Sequence, residues 1–596
     1  MSPRAASKVA AARWEIAPGR PEEAGALADA LGASPLVAQV ILNRGISDAE
    51  EARRFLDPRL KDLGDPFALP GMDAAVTRLA RAVERRESVV IYGDYDVDGV
   101  SSVTLAVRLL RALGLAEARP FLPDRFDEGY GLGEASLQRC LAEGKPDLML
   151  VLDCGTNSVA EVASLRAAGV DVVILDHHEP TRPANAHALV NYKLRSGRRE
   201  AECPEEKPTE FCTAGLMFKC AHGLLKRLRE IGHDPARQFD LKEALDLVAL
   251  ATVADLAPLA GENRILVRHG LRQMAAARQA GLRALMEVAR VEGTPTTTDC
   301  GFRLGPRLNA AGRIESATAA LRLLLTEDAA EAAELAARLD ATNRERQAED
   351  QRVYAEARAD AETQFQEPAT RALVVARPGW HEGVAGIVAA RLAREFHLPA
   401  FVVALGEKSV AKGSGRGIEG FDLSEAVNAT RAHLAGGGGH AMAAGVSLRP
   451  DCLAAWREAL QEFARTHPLF RDGRPRRSVR ADAEVRLADV TLGLISALEA
   501  IEPCGFGNPR PVLVARGVEV ADDPRAVGRD GAHLQLRLKQ GETTLAGIAF
   551  GHGNAPVKKG DRLDLLFEPQ RNEYRGRVSA QIQVLELSRS ATADRE

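Results

Sequence analysis

Short apolar runs alternate with amphipathic stretches from about residue 70, which predicts alternating strands and helices. The runs SVVIY, DLMLVL and GVDVVIL are typical of buried strands, and each ends just before acidic residues. Ahead of them, a flexible tail of about a dozen residues precedes RPEEAGALADALG and DAEEARRFL, which predict a small helical lead-in. Repeated strand, turn and helix units favour a doubly wound parallel sheet, in which the carboxyl ends of the strands share one edge.

The pattern changes twice in the second half of the chain. Residues 314–367 contain no Gly or Pro and are rich in Ala, Leu, Glu and Arg, which predicts a long helical connection between two lobes. RALVVARPGW, GVAGIVAARLAREF and LPAFVVAL then predict a second α/β domain, and short alternating strands predict a small barrel of the oligonucleotide-binding (OB) type. The expected divisions are a tail and helical lead-in (1–65), an α/β domain (66–313), a connecting helical segment (314–368), a second α/β domain (369–470), an exposed linker (471–480) and an OB-like barrel (481–590).

Composition narrows the class of protein without identifying it. The 596 residues are 45% hydrophobic and 27% charged, as expected for a soluble multidomain protein. The formal net charge is −5, so any nucleic-acid site has to be a local basic groove. Eight cysteines form no C-x-x-C pair, and the spacing of Cys203, Cys212 and Cys220 is not that of a zinc knuckle. With no run of about 18 apolar residues and no hydrophobic signal core, we expect a cytoplasmic protein with free thiols and no membrane contact.

The stretch YGDYDVDGV places Asp94, Asp96 and Asp98 at alternate positions on a predicted strand-to-helix turn. A calcium EF-hand loop begins in the same way, but its twelfth position would be Leu105, which cannot bind a metal, and it should follow a helix. Other apolar segments also end in potential ligands: Asp153, Asp176 with His177 and His178, and Asp255. A single Asp in such a place usually caps the next helix, but the recurrence favours a shared site at the edge of the sheet.

Carboxylate oxygens together with imidazole nitrogens suit Mn²⁺ or Mg²⁺, and the histidine shifts the expectation toward manganese. About five Asp and one His can hold two cations about 3.5–4 Å apart, as in nucleases and phosphatases. Such a pair activates a water molecule for in-line displacement at phosphorus and cancels the repulsion among the carboxylates. The sequence therefore predicts a metal-dependent phosphoesterase.

Three further stretches combine glycine with basic or polar side chains. KGSGRGIEG and GGGGHAMAAG offer backbone amides and an arginine for gripping phosphate, and GFRLGPRLNAAGRIE offers a basic lining for a nucleic-acid channel. A flexible turn or a solvated loop is the simpler interpretation of each stretch alone. The candidate residues are Ser414, Arg416, Gly439 and His440 in the first two, and Arg303, Asn309 and Arg313 in the third.

Taken together and in order, these motifs resemble the DHH phosphoesterase family, and within it the RecJ-type exonucleases. DYDVDG, VLDCGTN, LDHHEP and ATVADLAPL resemble the four DHH motifs, and WHEGVAGIVAARL, KGSGRGIEG and GGHAMAAG resemble the associated DHHA1 domain. GPRLNAAGRI, FDEGYGL and NEYRGRVSAQIQ also resemble RecJ-type sequences. The resemblance runs from about residue 40 to 588.

The resemblance implies a hydrolase that digests single-stranded DNA from its 5′ end, with roles in recombination and repair. The resemblance implies that the metal ligands are Asp96, Asp98, Asp153, His177 and Asp255, with Asp94 at the second metal or just outside it. It implies that Asp94 and His178 are the catalytic residues, and that His178 orients the phosphate or transfers a proton. It places Ser414, Arg416 and the Gly439–His440 stretch on the 5′ phosphate or nearby backbone, and Arg303, Asn309 and Arg313 along the DNA path. The barrel would hold the incoming strand. A helicase and a single-strand-binding protein are candidate partners of an expected monomer.

Three departures from the family pattern stand out. Cys154 replaces the usual Asn after the second-motif Asp, Gly417 replaces a hydroxyl residue in GSGRS, and the charged segment 195–212 resembles a surface insertion. Two other functions remain open: a phosphodiesterase for short oligonucleotides or cyclic dinucleotides, and a DNA-binding scaffold without activity. The barrel argues against the first, and the complete set of acids argues against the second.

Overall fold

A computed structural model describes residues 12–124, 128, 131–194, 209–276, 278–314, 317–406, 409–574 and 576–590, without the side chains of residues 313, 314 and 574. The predicted tails before residue 12 and after residue 590 lie outside these residues, as do most of the FDEGYGL stretch and residues 195–208 of the predicted insertion. The chain forms two compact units. We call residues 50–344 with 500–510 the central unit, and the remainder the flanking unit.

The α-helices of the described residues are α1 (Pro21–Leu31), α2 (Pro35–Asn43), α3 (Ala49–Leu56), α4 (Met72–Arg85), α5 (Val97–Ala112), α6 (Glu134–Ala142), α7 (Val159–Ala167), α8 (Thr213–Glu230), α9 (Asp234–Gln238), α10 (Leu245–Ala254), α11 (Gly261–Ala275), α12 (Ala280–Val288), α13 (Gly305–Ile314), α14 (Thr318–Leu325), α15 (Ala329–Gln366), α16 (Glu382–Phe396), α17 (Leu423–Ala429), α18 (Leu453–Thr466) and α19 (Leu492–Glu499). A helical turn (Thr297–Asp299) and a π-helical segment (Cys300–Leu304) precede α13. No single helix of the described residues is long and apolar enough to cross a membrane; α1 and α2, bent by 110° at their junction, reach that length only as a pair.

The strands are β1 (Arg13–Ile16), β2 (Val89–Gly93), β3 (Arg119–Phe121), β4 (Leu148–Leu152), β5 (Asp171–Leu175), β6 (Ala188–Val190), β7 (Leu373–Pro378), β8 (Ala400–Leu405), β9 (Ala411–Arg416), β10 (Gly436–His440), β11 (Ala443–Leu448), β12 (Ser478–Ala481), β13 (Ala483–Glu484), β14 (Leu513–Val520), β15 (Arg525–Val527), β16 (His533–Gln540), β17 (Thr543–Ala549), β18 (Arg562–Tyr574) and β19 (Arg577–Arg589).

The central unit is built on a parallel sheet with the strand order β3-β2-β4-β5-β6. Every residue of β2 and β4 is buried, as expected for strands covered on both faces by helices. One face packs against α4, α5, α8 and α10 in a continuous apolar core, and a smaller core covers the other face. The predicted doubly wound α/β domain is confirmed, and the carboxyl ends of its strands share one edge.

The flanking unit contains the second α/β domain and the barrel. In the α/β domain, β7 and β8 are parallel, and β9, β11 and β10 continue the sheet in antiparallel pairs. In the barrel, β14, β18, β19, β17 and β16 are paired in turn, and an additional β14–β16 pairing closes the sheet. The predicted OB-like barrel is therefore present.

Two glycine-rich stretches that were expected to be phosphate-gripping loops are strands. KGSGR forms most of β9, and GGGGH forms β10. Glycine is needed here for packing, because a Cβ at Gly415 would lie 2.3 Å from Cε1 of the Phe401 ring, and one at Gly413 would lie 2.9 Å from a methyl group of Val403. Gly413 and Gly415 thus allow the sheet to pack, and the candidate residues Ser414, Arg416, Gly439 and His440 lie on strands.

The predicted exposed linker at 471–480 is partly structured. Its last residues begin β12, which pairs in parallel with β1 from the N-terminal lead-in. The Arg474 guanidinium stacks 3.9 Å over the Phe365 ring and donates to the carbonyl of Thr370. The lead-in itself is divided, since residues up to Ala49 group with the flanking unit and α3 groups almost entirely with the central unit.

Candidate metal centre

The first acidic motif lies in the turn between β2 and α5. Asp96 is the N-cap of α5, and its Oδ1 accepts from the backbone N–H groups of Asp98 (2.9 Å) and Gly99 (3.2 Å). Gly99 is the one residue type that fits, because a Cβ there would lie 2.4 Å from the carbonyl oxygen of Asp94. Asp94 and Asp98 are buried, at 2% and 1% exposure. The turn therefore holds three carboxylates rigidly at the end of a strand.

Helix α8 binds this motif through its N-terminus. The backbone N–H groups of Thr213 and Ala214 donate to Asp98, at 2.6 and 2.8 Å. The Thr213 hydroxyl donates to Oδ1 of Asp153 (3.0 Å), which follows β4 with φ of +66°. The positive end of the helix dipole thus faces two buried acids and stabilises their charged forms.

The two histidines after β5 have different surroundings. His177 Nε2 lies 3.4 Å from Oδ1 of Asp153 and 3.7 Å from Oδ2 of Asp255, so it joins the acids of two segments. His178 Nδ1 lies 2.7 Å from Oδ1 of Asp176, whose other oxygen accepts from the backbone N–H of Thr156. His177 is therefore placed as a ligand, whereas His178 is held by a carboxylate of its own.

Asp255 reaches the site from a helix. The apolar segment that precedes it is α10, with Asp255 as the C-cap, and not a further strand of the sheet. Its position therefore depends on the packing of α10 against α5 and α8 in the core. Asp98, His177 and Asp255 each offer one ligand atom within 4.8 Å of the others, and so do Asp94, Asp96 and Asp153, and Asp153, His177 and His178.

The carboxylates of this cluster repel one another, and bound cations would relieve that repulsion. Burial, followed by repulsion from Asp98 and Asp96, raises the pKa of Asp255 to about 9. Burial, followed by repulsion from neighbouring acids, raises the pKa of Asp153 well above its usual range, and burial raises that of Asp98 as well. Burial also lowers the pKa of His177, which favours the neutral form that binds metals. Buried oxygen donors that repel one another, joined by a neutral imidazole, fit Mn²⁺ or Mg²⁺.

In the Asp176–His178 pair the pKa shifts run opposite to those in the rest of the cluster: the pKa of the acid is lowered and that of the histidine is raised. Burial opposes the protonated form of His178, but the hydrogen bond and charge of Asp176 outweigh it and raise the pKa. Burial likewise opposes the charged form of Asp176, but the hydrogen bond and charge of His178 and the hydrogen bond from Thr156 lower its pKa strongly. Asp176 therefore favours the protonated form of the His178 imidazole beside the acids.

Cys154, which departs from the family pattern, directly follows Asp153 in the turn after β4. Its thiol is 2% exposed, and Sγ lies 3.7 Å from the Leu152 carbonyl oxygen. Burial, together with the charges of Asp94 and Asp176, raises the pKa of Cys154 well above its usual range. The side chain is therefore a neutral thiol among the carboxylates.

The residues predicted to line a DNA path lie on the π-helical segment and α13. Oδ1 of Asn309 accepts from the backbone N–H of Val97 (3.0 Å), which ties α13 to the first acidic motif. The Arg303 guanidinium bonds to Asp299 (2.9 Å) and to the carbonyls of Ala289 and Arg290. The Arg313 side chain lies outside the described residues. That these residues contact DNA stays a prediction.

The candidate phosphate residues of the flanking unit cluster beside α16. A Cβ at Gly386 would lie 3.0 Å from Nη2 of Arg416 and 3.5 Å from Oγ of Ser414, so glycine makes room for both. Arg416 donates to the Gly415 carbonyl (2.8 Å), and among the described residues no carboxylate forms an ion pair with it. Burial lowers the pKa of Arg416, so an anion would stabilise this guanidinium.

The other residues of that group lie along one edge of the same sheet. Gly439 and His440 end the edge strand β10, where both are exposed. Gly417, the second departure from the family pattern, donates its N–H to the Met442 carbonyl (2.9 Å), and a Cβ there would lie 3.0 Å from the Ala441 carbonyl oxygen. A serine in this place would have to move the turn between β10 and β11.

Sequence reasoning missed several residues that build the site. Asp176 was placed in the acidic cluster but was given no role of its own, although the DHH stretch already placed this carboxylate beside two imidazoles. Thr213 starts a helix 115 residues after Asp98, and no local pattern signals that contact. The 500–510 segment, whose Phe506 carbonyl oxygen accepts from the backbone N–H of Leu259 in the turn after α10, also carries no recognisable motif.

Comparisons with known proteins agree with this arrangement. Family models match residues 88–252 (DHH family, N-terminal domain), 369–466 (DHHA1 domain) and 481–586 (RecJ OB domain). The chain is 35% identical over 577 residues to the single-stranded-DNA-specific exonuclease RecJ of Bacillus subtilis (strain 168), covering 96% of this chain and 70% of that protein.

Two crystal structures of RecJ from Thermus thermophilus are similar to the whole chain. The complex with Mn²⁺ has a TM-score of 0.80 at 30% identity and covers 97% of this chain and 79% of that one. The complex with Mg²⁺ has a TM-score of 0.75 at 28% identity and covers 98% of this chain and 79% of that one.

Proposed function

Because this chain belongs to the RecJ family of single-stranded-DNA-specific exonucleases, we propose that it removes nucleotides from the 5′ end of single-stranded DNA by metal-dependent hydrolysis. The observation that carries the proposal is the cluster of carboxylates and His177 at the edge of the central sheet. A family member that had lost this chemistry would not be expected to keep so many buried acids that repel one another.

We assign the metal ligands to Asp96, Asp98, Asp153, His177 and Asp255, with Asp94 at the second cation or beside it. Bound Mn²⁺ or Mg²⁺ would supply an activated water molecule and neutralise charge on the phosphate. Asp98 and Asp153 are fixed by α8, and Asp96 by its own cap, so the ligands keep their places before the cations arrive. This preorganisation lowers the cost of ordering the site when the substrate binds.

We assign the proton and phosphate chemistry to His178. Its Nδ1 is bonded to Asp176, so Nε2 is the nitrogen that can hold a proton for a phosphate oxygen or for the leaving oxygen. The raised pKa favours the protonated imidazole, whose charge also attracts the phosphate. The carboxylate of Asp176 fixes the tautomer and the ring orientation.

We assign binding of the 5′ phosphate to Ser414 and Arg416, with Gly439 and His440 on the neighbouring edge strand. The supporting observation is the half-buried Arg416 guanidinium, which lies close to a hydroxyl group and has no carboxylate partner among the described residues. Arg303, Asn309 and Arg313 remain the proposed lining of the DNA path, and the barrel would hold the incoming strand by stacking and charge.

The proposed location and partners of the enzyme are those expected for a single-stranded-DNA substrate. We place the enzyme in the cytoplasm, where DNA is present, and expect a monomer that works with a helicase and a single-strand-binding protein. The domain divisions stay a proposal, with the connecting segment at 314–368 containing α14 and α15.

The test uses 3′-labelled single-stranded DNA and its duplex counterpart, each with Mn²⁺, with Mg²⁺ or with excess EDTA. We expect stepwise shortening of the single strand from its 5′ end, abolished by EDTA and by Asp255→Asn. Asp234→Asn is the matched control, since this exposed acid pairs only with Arg237 among the described residues and lies outside the cluster. Binding without cleavage in either metal would contradict the proposal.

The same assay distinguishes long single-stranded DNA from the alternative substrates. A phosphodiesterase for short oligonucleotides or cyclic dinucleotides would turn over a dinucleotide as fast as a fifty-nucleotide strand. The closed barrel favours the long strand, because a dinucleotide needs no such module.

A further inference from the structure

The short edge strand β6 has no role in the function proposed so far. It pairs with β5, with Val190 opposite Leu175, just before the stretch from Asp176 to His178 begins. Asn191 directly follows β6 and is fully buried, at 0% exposure. A buried amide has to be hydrogen-bonded or it costs stability, so the partners of Asn191 show what it holds in place.

The Asn191 side chain binds the backbone of His178. Its Nδ2 group donates to the His178 carbonyl oxygen at 2.8 Å, and its Oδ1 accepts from the backbone N–H of Lys193 at 3.0 Å. An amide that donates to one segment and accepts from another holds the two segments at a fixed distance. The backbone of His178 is thus tied to the end of β6.

The same amide also supports Asp176, through Thr156. Nδ2 of Asn191 donates to Oγ1 of Thr156 at 3.3 Å, and the backbone N–H of Thr156 donates to Oδ2 of Asp176 at 3.0 Å. Oδ1 of Asp176 lies 3.2 Å from the backbone nitrogen of His178 and 2.7 Å from its Nδ1. The four residues therefore form a closed ring of hydrogen bonds, in which each residue contacts two others.

The carboxylates of the metal centre are held by other elements. Their supports are the β2–α5 turn, the N-terminus of α8 and the end of α10. Among the described residues, neither Asn191 nor Thr156 forms a hydrogen bond with any of those metal-binding carboxylates. Removal of the amide should therefore disturb His178 and leave the carboxylates in place.

We propose that Asn191 is a positioning residue for the hydrolysis, and that it holds His178 and Asp176 in place from the end of β6. The inference rests on the proposed exonuclease function, in which Nε2 of His178 acts on the phosphate or on the leaving oxygen. Such a group has to lie within hydrogen-bond reach of the reacting atom, and a displacement of about 1 Å can cost about 100-fold in rate. Because Asn191 is fully buried, it acts through His178 and not on the substrate.

The first test measures turnover on single-stranded DNA. We expect Asn191→Ala to lower kcat roughly 10- to 100-fold, the cost of displacing a catalytic group, and to change KM much less. Thr156→Val should also lower kcat, because valine keeps the volume but offers no oxygen to the amide, and Thr156→Ser should restore most of the rate. An unchanged kcat in Asn191→Ala would overturn the proposal.

Thr104→Val is the matched control for the loss of a buried hydroxyl group. Thr104 belongs to the same unit, is as deeply buried as Thr156, and donates to the Val100 carbonyl oxygen of its own helix at 2.7 Å. We expect its kcat to equal that of wild type. Equal losses in Thr104→Val and Thr156→Val would mean that any buried hydroxyl matters as much, and would overturn the proposal.

The second test asks whether the metal ligands survive and whether Asn191 acts through His178. Calorimetry without DNA should show a Mn²⁺ Kd within about threefold of wild type for Asn191→Ala, whereas damage around metal ligands typically costs about 10- to 100-fold. In a His178→Ala background, Asn191→Ala should lower kcat by less than about twofold, because the group that it positions is then missing. A loss of Mn²⁺ affinity as large as the loss of kcat, or losses that multiply in the double variant, would overturn the proposal.

A third test needs no catalysis and separates this inference from the proposed function. In protein labelled with ¹⁵N-histidine, correlations to the carbon-bound ring protons show which nitrogen of neutral His178 carries the proton, and His178→Ala identifies the signals. We expect the proton on Nδ1, beside Asp176, in wild type and a mixture of both tautomers in Asn191→Ala. An unchanged tautomer in Asn191→Ala would overturn the positioning role, whereas an inactive wild type would refute the exonuclease function and leave this measurement to decide the positioning.

Discussion

Asp255→Asn should stabilise the metal-free protein while abolishing its activity. Burial, followed by repulsion from Asp98 and Asp96, raises the pKa of the Asp255 carboxyl to about 9, whereas an Asp in the unfolded chain has a pKa of about 3.9. The folded protein without metal therefore keeps a proton on this group at neutral pH, and the unfolded chain does not. Asparagine fits the same space without a proton to gain or lose.

The magnitude follows from the difference in proton binding. Because the folded pKa is raised, stability is fully present below about pH 4 and falls as pH rises toward 9. At pH 7 the shift extends over about three pH units at about 1.4 kcal/mol each, so Asp255 costs the metal-free fold about 4 kcal/mol. Asparagine should recover most of that cost, since the ion pair with His177 at 3.7 Å is weakened by the lowered pKa of that histidine.

The assay is denaturant unfolding of wild type and Asp255→Asn in a chelator at pH 5, 7 and 8.5. The relevant transition is the one that shifts on addition of Mn²⁺, which distinguishes the central unit from the flanking unit. The variant should be more stable than wild type in the chelator, by an amount that grows with pH. With Mn²⁺ at 100 times its Kd, wild type should gain about 2.7 kcal/mol, and the variant should gain less because it lacks a ligand.

One result would refute the reasoning. If Asp255→Asn is no more stable than wild type in the chelator at pH 8.5, burial and the repulsion from Asp98 and Asp96 do not raise the pKa of Asp255 as the geometry requires. Asp234→Asn removes an exposed carboxylate from the same unit and should leave the curves unchanged at every pH.

Three further predictions concern other charged groups. Asp176→Asn should move the alkaline limb of the kcat–pH profile to lower pH, because burial is then opposed only by the charges of Asp94 and Asp96, so the pKa of His178 falls and the active, protonated form is lost earlier; an unmoved limb would contradict the role of His178. Arg416→Ala should reduce the preference for a 5′-phosphate over a 5′-hydroxyl end by roughly 10- to 100-fold in kcat/KM, the value of a charged hydrogen bond, and an unchanged ratio would place the phosphate elsewhere. Asp246→Asn should stabilise the protein more at pH 8 than at pH 5, since burial raises the pKa of Asp246 to about 7 and the cost of keeping this carboxyl in the fold grows as pH rises from about 4 to about 7; equal unfolding midpoints of variant and wild type at pH 8 would show that the carboxyl is not desolvated.

The parts of the site that follow strands could be predicted from the sequence. Asp94, Asp96, Asp98 and Asp153 come directly after short buried runs, and parallel strands bring their carboxyl ends to one edge. The local pattern was sufficient there, because the chain itself fixes the distance from strand to acid. The same holds for His177 and His178 after β5.

Contacts made by packing could not be predicted in this way. Asp255 follows an apolar helix, and its approach to His177 depends on how α10 packs in the core. The glycines of β9 and β10 suggest loops because glycine is typical of turns, whereas in the strand β9 Gly415 is required by the ring of Phe401, and in β10 Gly439 is required by the close carbonyl oxygen of Ala443. The 500–510 segment follows α19 in sequence yet packs in the central unit, and no local signal encodes such a return.

The rigidity of the metal centre has a chemical consequence. Its acids are fixed by the β2–α5 turn, by the N-terminus of α8 and by the end of α10, so they cannot move apart to relieve their repulsion. Without cations they relieve it by keeping protons, as the raised pKa values of Asp153 and Asp255 indicate. Each bound cation must therefore displace protons, and metal affinity rises with pH as long as these groups remain protonated. Metal binding and loss of these protons are thus coupled. The stability of the metal-free protein and its affinity for metal therefore depend on pH for the same reason, the ionisation of these buried acids.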